Sequence, residues 1–139
     1  MIGKLCLTTF TAIGLATPTV AEGLRIAVDG VRNGNGNVLI LVFDNADAFE
    51  SLNVWKAVEY AAVPARLGQI RHQFDQLQKG PYAVFLFHDE NNDEDLNTND
   101  TRLLEGIGAS GAPNRDDEPD FAAASVWPGD VALRIHYDQ

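Results

Sequence analysis

Cysteine is almost absent from this chain: Cys6 is the only one in 139 residues. A lone thiol closes no intramolecular disulfide and builds no multi-cysteine zinc or iron–sulfur site. Cys6 directly follows Lys4-Leu5, before any full apolar stretch, so it is not read as a lipid-attachment site. Basic residues are scarce too. Ten Lys and Arg stand against twenty Asp and Glu, for a net charge of −10. A field of that sign repels nucleic-acid phosphates and anionic lipid headgroups, and no basic stripe offsets it. No apolar run reaches the roughly 20 residues that a bilayer-spanning helix needs. The three histidines, His72, His88 and His136, show no H-E-x-x-H or comparable metal spacing. Gly106-Ile107-Gly108-Ala109-Ser110-Gly111 spells G-x-G-x-x-G, but Ala112-Pro113-Asn114 follows it and no βαβ unit surrounds it. Ser110 is no nucleophile elbow, because Ala112 stands where that motif demands glycine. With no triad and no phosphate-binding G-K-[ST] loop, the chain is expected not to be an enzyme.

What is present begins at the N-terminus. Lys4 is the only charge in residues 1–21; residues 5–15 are mostly apolar, and Thr17-Pro18-Thr19-Val20-Ala21 closes on small side chains. A positive start, a short apolar stretch and small residues three and one before a cut define a secretory signal peptide. Cleavage is expected after Ala21, which leaves one domain over residues 22–139. Without Lys4 that domain is one charge more negative still. The expected destination is the bacterial periplasm or the medium.

Alternation at period two makes residues 24–29 a half-buried strand. The two Asn-Gly pairs in Asn33-Gly34-Asn35-Gly36 then predict a hairpin into residues 38–43, which are apolar on both faces and read as a central strand. Residues 45–52 read as a short helix capped by Asn45 or Asp44, with Phe49 and Leu52 turned inward. An extended segment ends near Pro64. Gly68 turns the chain into residues 69–74, with Ile70, His72 and Phe74 on one face. Lys79-Gly80-Pro81 turns it again into the apolar strand 82–87, and residues 131–137 form the last strand. Short strands with turn signals between them point to a β-sandwich. Trp55 and Trp127 are expected to pack in the core or at its rim; the other reading makes them exposed aromatics through which a metal-free module binds a partner.

The chemically pointed feature is the acidic stretch 89–100. Counting from Asp89, side-chain oxygens fall at position 3 (Asn91), 5 (Asp93), 9 (Asn97) and 12 (Asp100), and Asp95 at position 7 offers its backbone carbonyl. That is the oxygen spacing of a calcium loop, with Leu96 in the one apolar slot. It departs from that pattern at position 6, Glu94 in place of Gly, and at position 12, Asp100 in place of Glu. Asp89, Asn91, Asp93, Asp95, Asn97 and Asp100 are therefore the candidate metal ligands, with calcium the candidate cofactor. Asp116-Asp117-Glu118-Pro119-Asp120 is a second acidic cluster that reads as a solvated loop or a further oxygen source. A different class of reading makes the chain a carbohydrate-active or other hydrolase, pairing Asp89 with Glu105.

Gly80-Pro81-Tyr82-Ala83, His88-Asp89-Glu90-Asn91, Leu96-Asn97-Thr98-Asn99 and Glu105-Gly106 with Ser110 form a series. It resembles a family of exported bacterial proteins known as a domain of unknown function, number 2141. The resemblance implies an all-β fold, a transthyretin-like or immunoglobulin-like sandwich of about seven strands with one short helix. It also implies an envelope or secreted location, and it brings no activity or catalytic residue. Members of the family it resembles read Asn-Gly-Asn-Gly after the Asp-Glu block, where this chain has Asn92-Asp93-Glu94. The expected function is a non-enzymatic binding or structural module whose partner is an envelope or extracellular protein or a glycan.

Overall fold

The computed structural model describes residues 14–16 and 22–138. The expected signal peptide, apart from those three residues, lies outside the described residues. Two sheets carry the fold. Strand β1 (Leu24–Val31) is the middle of a three-stranded sheet, antiparallel to β4 (Gly68–Phe74) and parallel to β9 (Gly129–Arg134). The other sheet runs β3 (Glu59–Pro64), β2 (Asn37–Phe43), β5 (Ala83–Asp89), β8 (Ile107–Ala109), all neighbours antiparallel. A two-stranded ribbon, β6 (Thr98–Asn99) with β7 (Arg102–Leu103), closes the acidic loop. The chain is thus the β-rich sandwich that its strand pattern predicts.

The all-apolar strands are central because both of their faces are covered. Between the sheets, Val38, Ile40, Val42, Val84 and Leu86 meet Leu24, Ile26, Val28, Ile70 and Leu133. On the far side, Leu39, Leu41, Phe43, Phe85 and Phe87 lie beneath two short helices, α1 (Ala46–Glu50) and α2 (Phe121–Ala124). Asn45 caps α1, its side chain accepting from the Ala48 N–H at 2.9 Å. Phe49 joins the layers edge-on, its ring 5.9 Å from Phe43 and 6.3 Å from Phe121.

Several expectations are corrected. Strands β1 and β2 are not a hairpin but lie in different sheets. A two-residue hairpin turn of the Asn-Gly kind needs positive φ at both central residues, and between Arg32 and Asn37 only Gly36 has it, at 62°. Both edges of each strand are taken by other partners. The Asn-Gly segment instead crosses between sheets, folded on itself by Asn35 N–H donating to the Asn33 side chain at 2.9 Å. Leu52 faces solvent at 43 % exposure, because α1 stops at Glu50 and Leu52 takes φ 47°, which turns it away from the core. Trp55 and Trp127 are not packed either, at 93 % and 62 % exposed. Trp55 sits on a single 3-10 turn, Val54–Lys56, that buries none of its residues. The second helix, α2, was not foreseen. Finally, β9 stops at Arg134, and His136 then bridges to Ile107 of β8, so the chain end laces the two sheets together.

The glycines of the 106–111 series have a packing reason. A Cβ on Gly106 would lie 2.3 Å from the Tyr137 ring, and one on Gly108 would lie 2.4 Å from the Arg134 carbonyl oxygen. Ser110 is fully buried, its hydroxyl oxygen accepting from the Val84 N–H at 2.9 Å.

Candidate metal centre

Every residue of β5 is buried, including its last two, His88 and Asp89. Asp89 therefore enters the acidic loop as a carboxylate with 1 % exposure. The loop folds back over it: Oδ1 accepts from the Asp93 N–H at 3.2 Å and Oδ2 from the Glu94 N–H at 3.0 Å. Asp93 is gripped in turn. Its Oδ1 accepts from the Asp95 N–H at 2.9 Å, and its Oδ2 accepts from the amides of Asn91 and Asn97, each at 2.9 Å. Glu105, 4 % exposed, reaches in from the segment before β8, with Oε2 accepting from the Asn97 N–H at 3.1 Å. One oxygen from each of Asp89, Asp93 and Glu105 lies within 4.8 Å of the others. Among the described residues no lysine or arginine forms an ion pair with any of the three. This acidic triad, with Asp89 and Glu105 buried and Asp93 exposed, has the composition and spacing to hold a metal ion.

The two ends of this cluster titrate in opposite directions. Burial pushes the Glu105 carboxyl above its ordinary range, and the charges of Asp89 and Asp93 add to the push. The Asp95 N–H, followed by the side-chain amides of Asn97 and Asn91, holds Asp93 below its ordinary range. Glu105 is the member for which being charged and unpaired is unfavourable, so a cation offsets its penalty most directly.

Of the ligands read from spacing, Asp89 and Asp93 converge, and Asn91 and Asn97 bond to Asp93 beside them. The Asp100 carboxylate does not join the three and sits in the turn between β6 and β7; Asp95, read as a backbone-carbonyl ligand, lies on the exposed part of the loop and gives its N–H to Asp93. Glu105 entered the sequence reading only as a catalytic partner for Asp89. A window of loop positions 1 to 12 cannot contain it, and only the pairing of β8 with β5 brings it back. The second acidic cluster is spent locally: Asp116 pairs with Arg115, Asp117 accepts from the Asn114 N–H, and Asp120 caps α2.

The root of the loop is fastened to the crossing segment. His88 is fully buried, Nε2 at 2.7 Å from the Asn35 carbonyl and Nδ1 at 2.8 Å from the Tyr137 hydroxyl. A carbonyl only accepts, so Nε2 carries a proton. Arg32 lies over the Tyr137 ring at 4.5 Å and pairs with Glu90 at 2.5 Å, while Asn37 donates to the Asn92 side chain at 2.7 Å.

A sequence profile described as an uncharacterized protein conserved in bacteria (DUF2141) matches residues 26–134, which include both sheets and the whole acidic loop. The chain is a DUF2141 protein. No curated protein and no solved structure matches it. In this DUF2141 protein, Asn92 and Glu94 hold positive φ, 58° and 60°. Positive φ is the region that glycine adopts most readily. The loop thus makes the sharp turns that glycine serves, with side chains that pay roughly 1 kcal/mol or more each to adopt them.

Proposed function

We propose that this DUF2141 protein is an exported, non-enzymatic binding or structural module of the bacterial cell envelope whose acidic loop is ordered by Ca²⁺. The observation that carries the reading is the convergence of the Asp89, Asp93 and Glu105 carboxylates, with no ion pair to a basic side chain among the described residues. Buried charges require a partner, and an all-oxygen set favours a hard cation. Ca²⁺ takes six to eight oxygens in flexible geometry, whereas Mg²⁺ demands a near-ideal octahedron. The amide oxygens of Asn91 and Asn97 and the loop carbonyls lie at hand to complete such a shell. A hydrolase reading, pairing Asp89 with Glu105, is less well supported. Both groups are almost fully buried, and neither lines the surface cavities beside Phe85, His72 or Leu133.

A surface for a protein or glycan partner is offered by Trp55, with exposed Val54, Val58 and Tyr60 beside it in sequence. No helix among the described residues is long and apolar enough to cross a membrane. The net charge of −10 argues against nucleic acid.

Thermal unfolding in EDTA and then across a calcium series tests the ion. With affinity on the order of 10⁻⁴ M, about 10 mM Ca²⁺ adds roughly 2.7 kcal/mol, which raises the melting temperature by about 10 °C for a domain of this size. Mg²⁺ gives far less, and Asp93→Asn removes the response. The rise also depends on pH. In the metal-free protein the raised Glu105 group favours folding most at low pH, and that contribution is lost as pH climbs through its folded pKa. The calcium increment is therefore larger near pH 7 than near pH 5. A melting temperature indifferent to Ca²⁺ at both pH values overturns the ion-ordered loop. Export is tested by sequencing the N-terminus of protein recovered outside the cytoplasm. Glu22 is expected as the first residue, and an intact Met1 on cytoplasmic protein refutes export.

A further inference from the structure

A cavity of about 370 Å³ opens on the outer face of the four-stranded sheet, away from the acidic triad. That is within the size range of small-molecule sites, roughly 300–1,000 Å³. Its apolar surface comes from Phe85 of β5, Ile107 of β8, Phe49 of α1, and Ala112. Its charged lining is one-sided: Glu50, Asp117 and Glu118 against Arg115 alone. Arg115 is already engaged by Asp116 at 2.6 Å and by Asp138. Glu118 forms no ion pair among the described residues.

A second observation concerns His136, which also lines the cavity. Its Nε2 is the one buried side-chain nitrogen or oxygen among the described residues that has no hydrogen-bond partner. Buried polar groups are almost always satisfied, so an orphan beside a cavity calls for a donor or acceptor from outside the chain.

We propose that this cavity binds a small organic cation with an apolar body, an aryl- or alkylammonium. The body lies on Phe49, Phe85 and Ile107, and the head group is drawn to the rim by the carboxylates of Glu118 and Asp117. An ammonium carries three N–H donors, so it can serve a carboxylate and, in the tautomer that carries its proton on Nδ1, the lone pair of His136 Nε2 together. The site does not rest on the metal reading; no member of the triad lines it.

The test titrates the isotope-labelled full chain, in EDTA, with 2-phenylethylamine and follows amide shifts by NMR. The comparators are 2-phenylethanol and 3-phenylpropanoate, similar in body but neutral and anionic in head. Saturable shifts at Ile107, Ala109 and His136 are expected with the amine. The alcohol should bind about five- to tenfold more weakly, as loss of a charge-assisted hydrogen bond implies, and the carboxylate not at all. Ala112→Phe fills the cavity and is expected to abolish binding. Glu118→Gln, at an exposed position, leaves folding intact and lowers amine affinity about threefold or more. No shift with the amine overturns the proposal, and so does a carboxylate that binds equally well. A folded Ala112→Phe protein that binds as before does the same; if that variant does not fold, undiminished binding by Glu118→Gln is decisive.

Discussion

Replacing Gly36 by alanine is expected to destabilise the protein by about 3–4 kcal/mol and to abolish any response to calcium. Gly36 has φ 62°, where a Cβ costs roughly 1–2 kcal/mol. The larger problem is space. That Cβ would lie 1.9 Å from the Asp89 carbonyl oxygen and 2.9 Å from the carbonyl carbons of Asp89 and Glu90. These are backbone atoms and cannot swing aside as a side-chain tip would. The crossing segment cannot retreat freely, since the Gly36 carbonyl accepts from Ala65 N–H at 3.0 Å. Relief therefore comes from moving Asp89, the root of the acidic triad. Gly34 is the control: its Cβ would meet only the Ala65 carbonyl oxygen, at 3.7 Å, so Gly34→Ala should change stability by less than about 0.5 kcal/mol. Chemical denaturation of the two variants decides the matter, and equal losses would refute this account of the contact.

Phe49→Ala is expected to cost about 3–5 kcal/mol, the usual range for a buried phenylalanine. Phe49 is 5 % exposed and is the ring through which Phe43 of the sheet and Phe121 of α2 meet. Its loss uncouples the outer layer from the sheet instead of merely shrinking one side chain. Hydrogen exchange should then rise in α1 and α2 while β1, in the other sheet, keeps its protection. A loss below about 1 kcal/mol, typical of a surface position, would mean that the outer layer does not depend on Phe49.

The sequence made some of this legible and hid the rest for physical reasons. Runs apolar on both faces, residues 38–43 and 82–87, identify central strands because only a covered sheet buries both sides. Asn45 announces α1 through a local bond to its own helix. The acidic loop is equally local, and Asp89, Asn91, Asp93 and Asn97 emerge together. What failed depends on partners distant along the chain. Asn-Gly pairs normally specify a hairpin, but the edges of β1 are taken by β4 and β9. Glu105 joins the triad only through the pairing of β8 with β5, a register that no periodicity encodes. Trp55 follows no pattern that could have put it outside; its exposure comes from an unburied turn.

The parallel pairing of β1 with β9 joins the beginning of the domain to its end. The strand made first lies in the middle of its sheet, yet one of its neighbours is made last. Residues 24–31 must therefore wait, with a row of unpaired backbone groups, until about a hundred further residues have been synthesised. Loop closure over such a separation is slow compared with forming a hairpin. The three-stranded sheet therefore cannot close until β9 exists, so its assembly is completed by the strand made last and not by the strand made first.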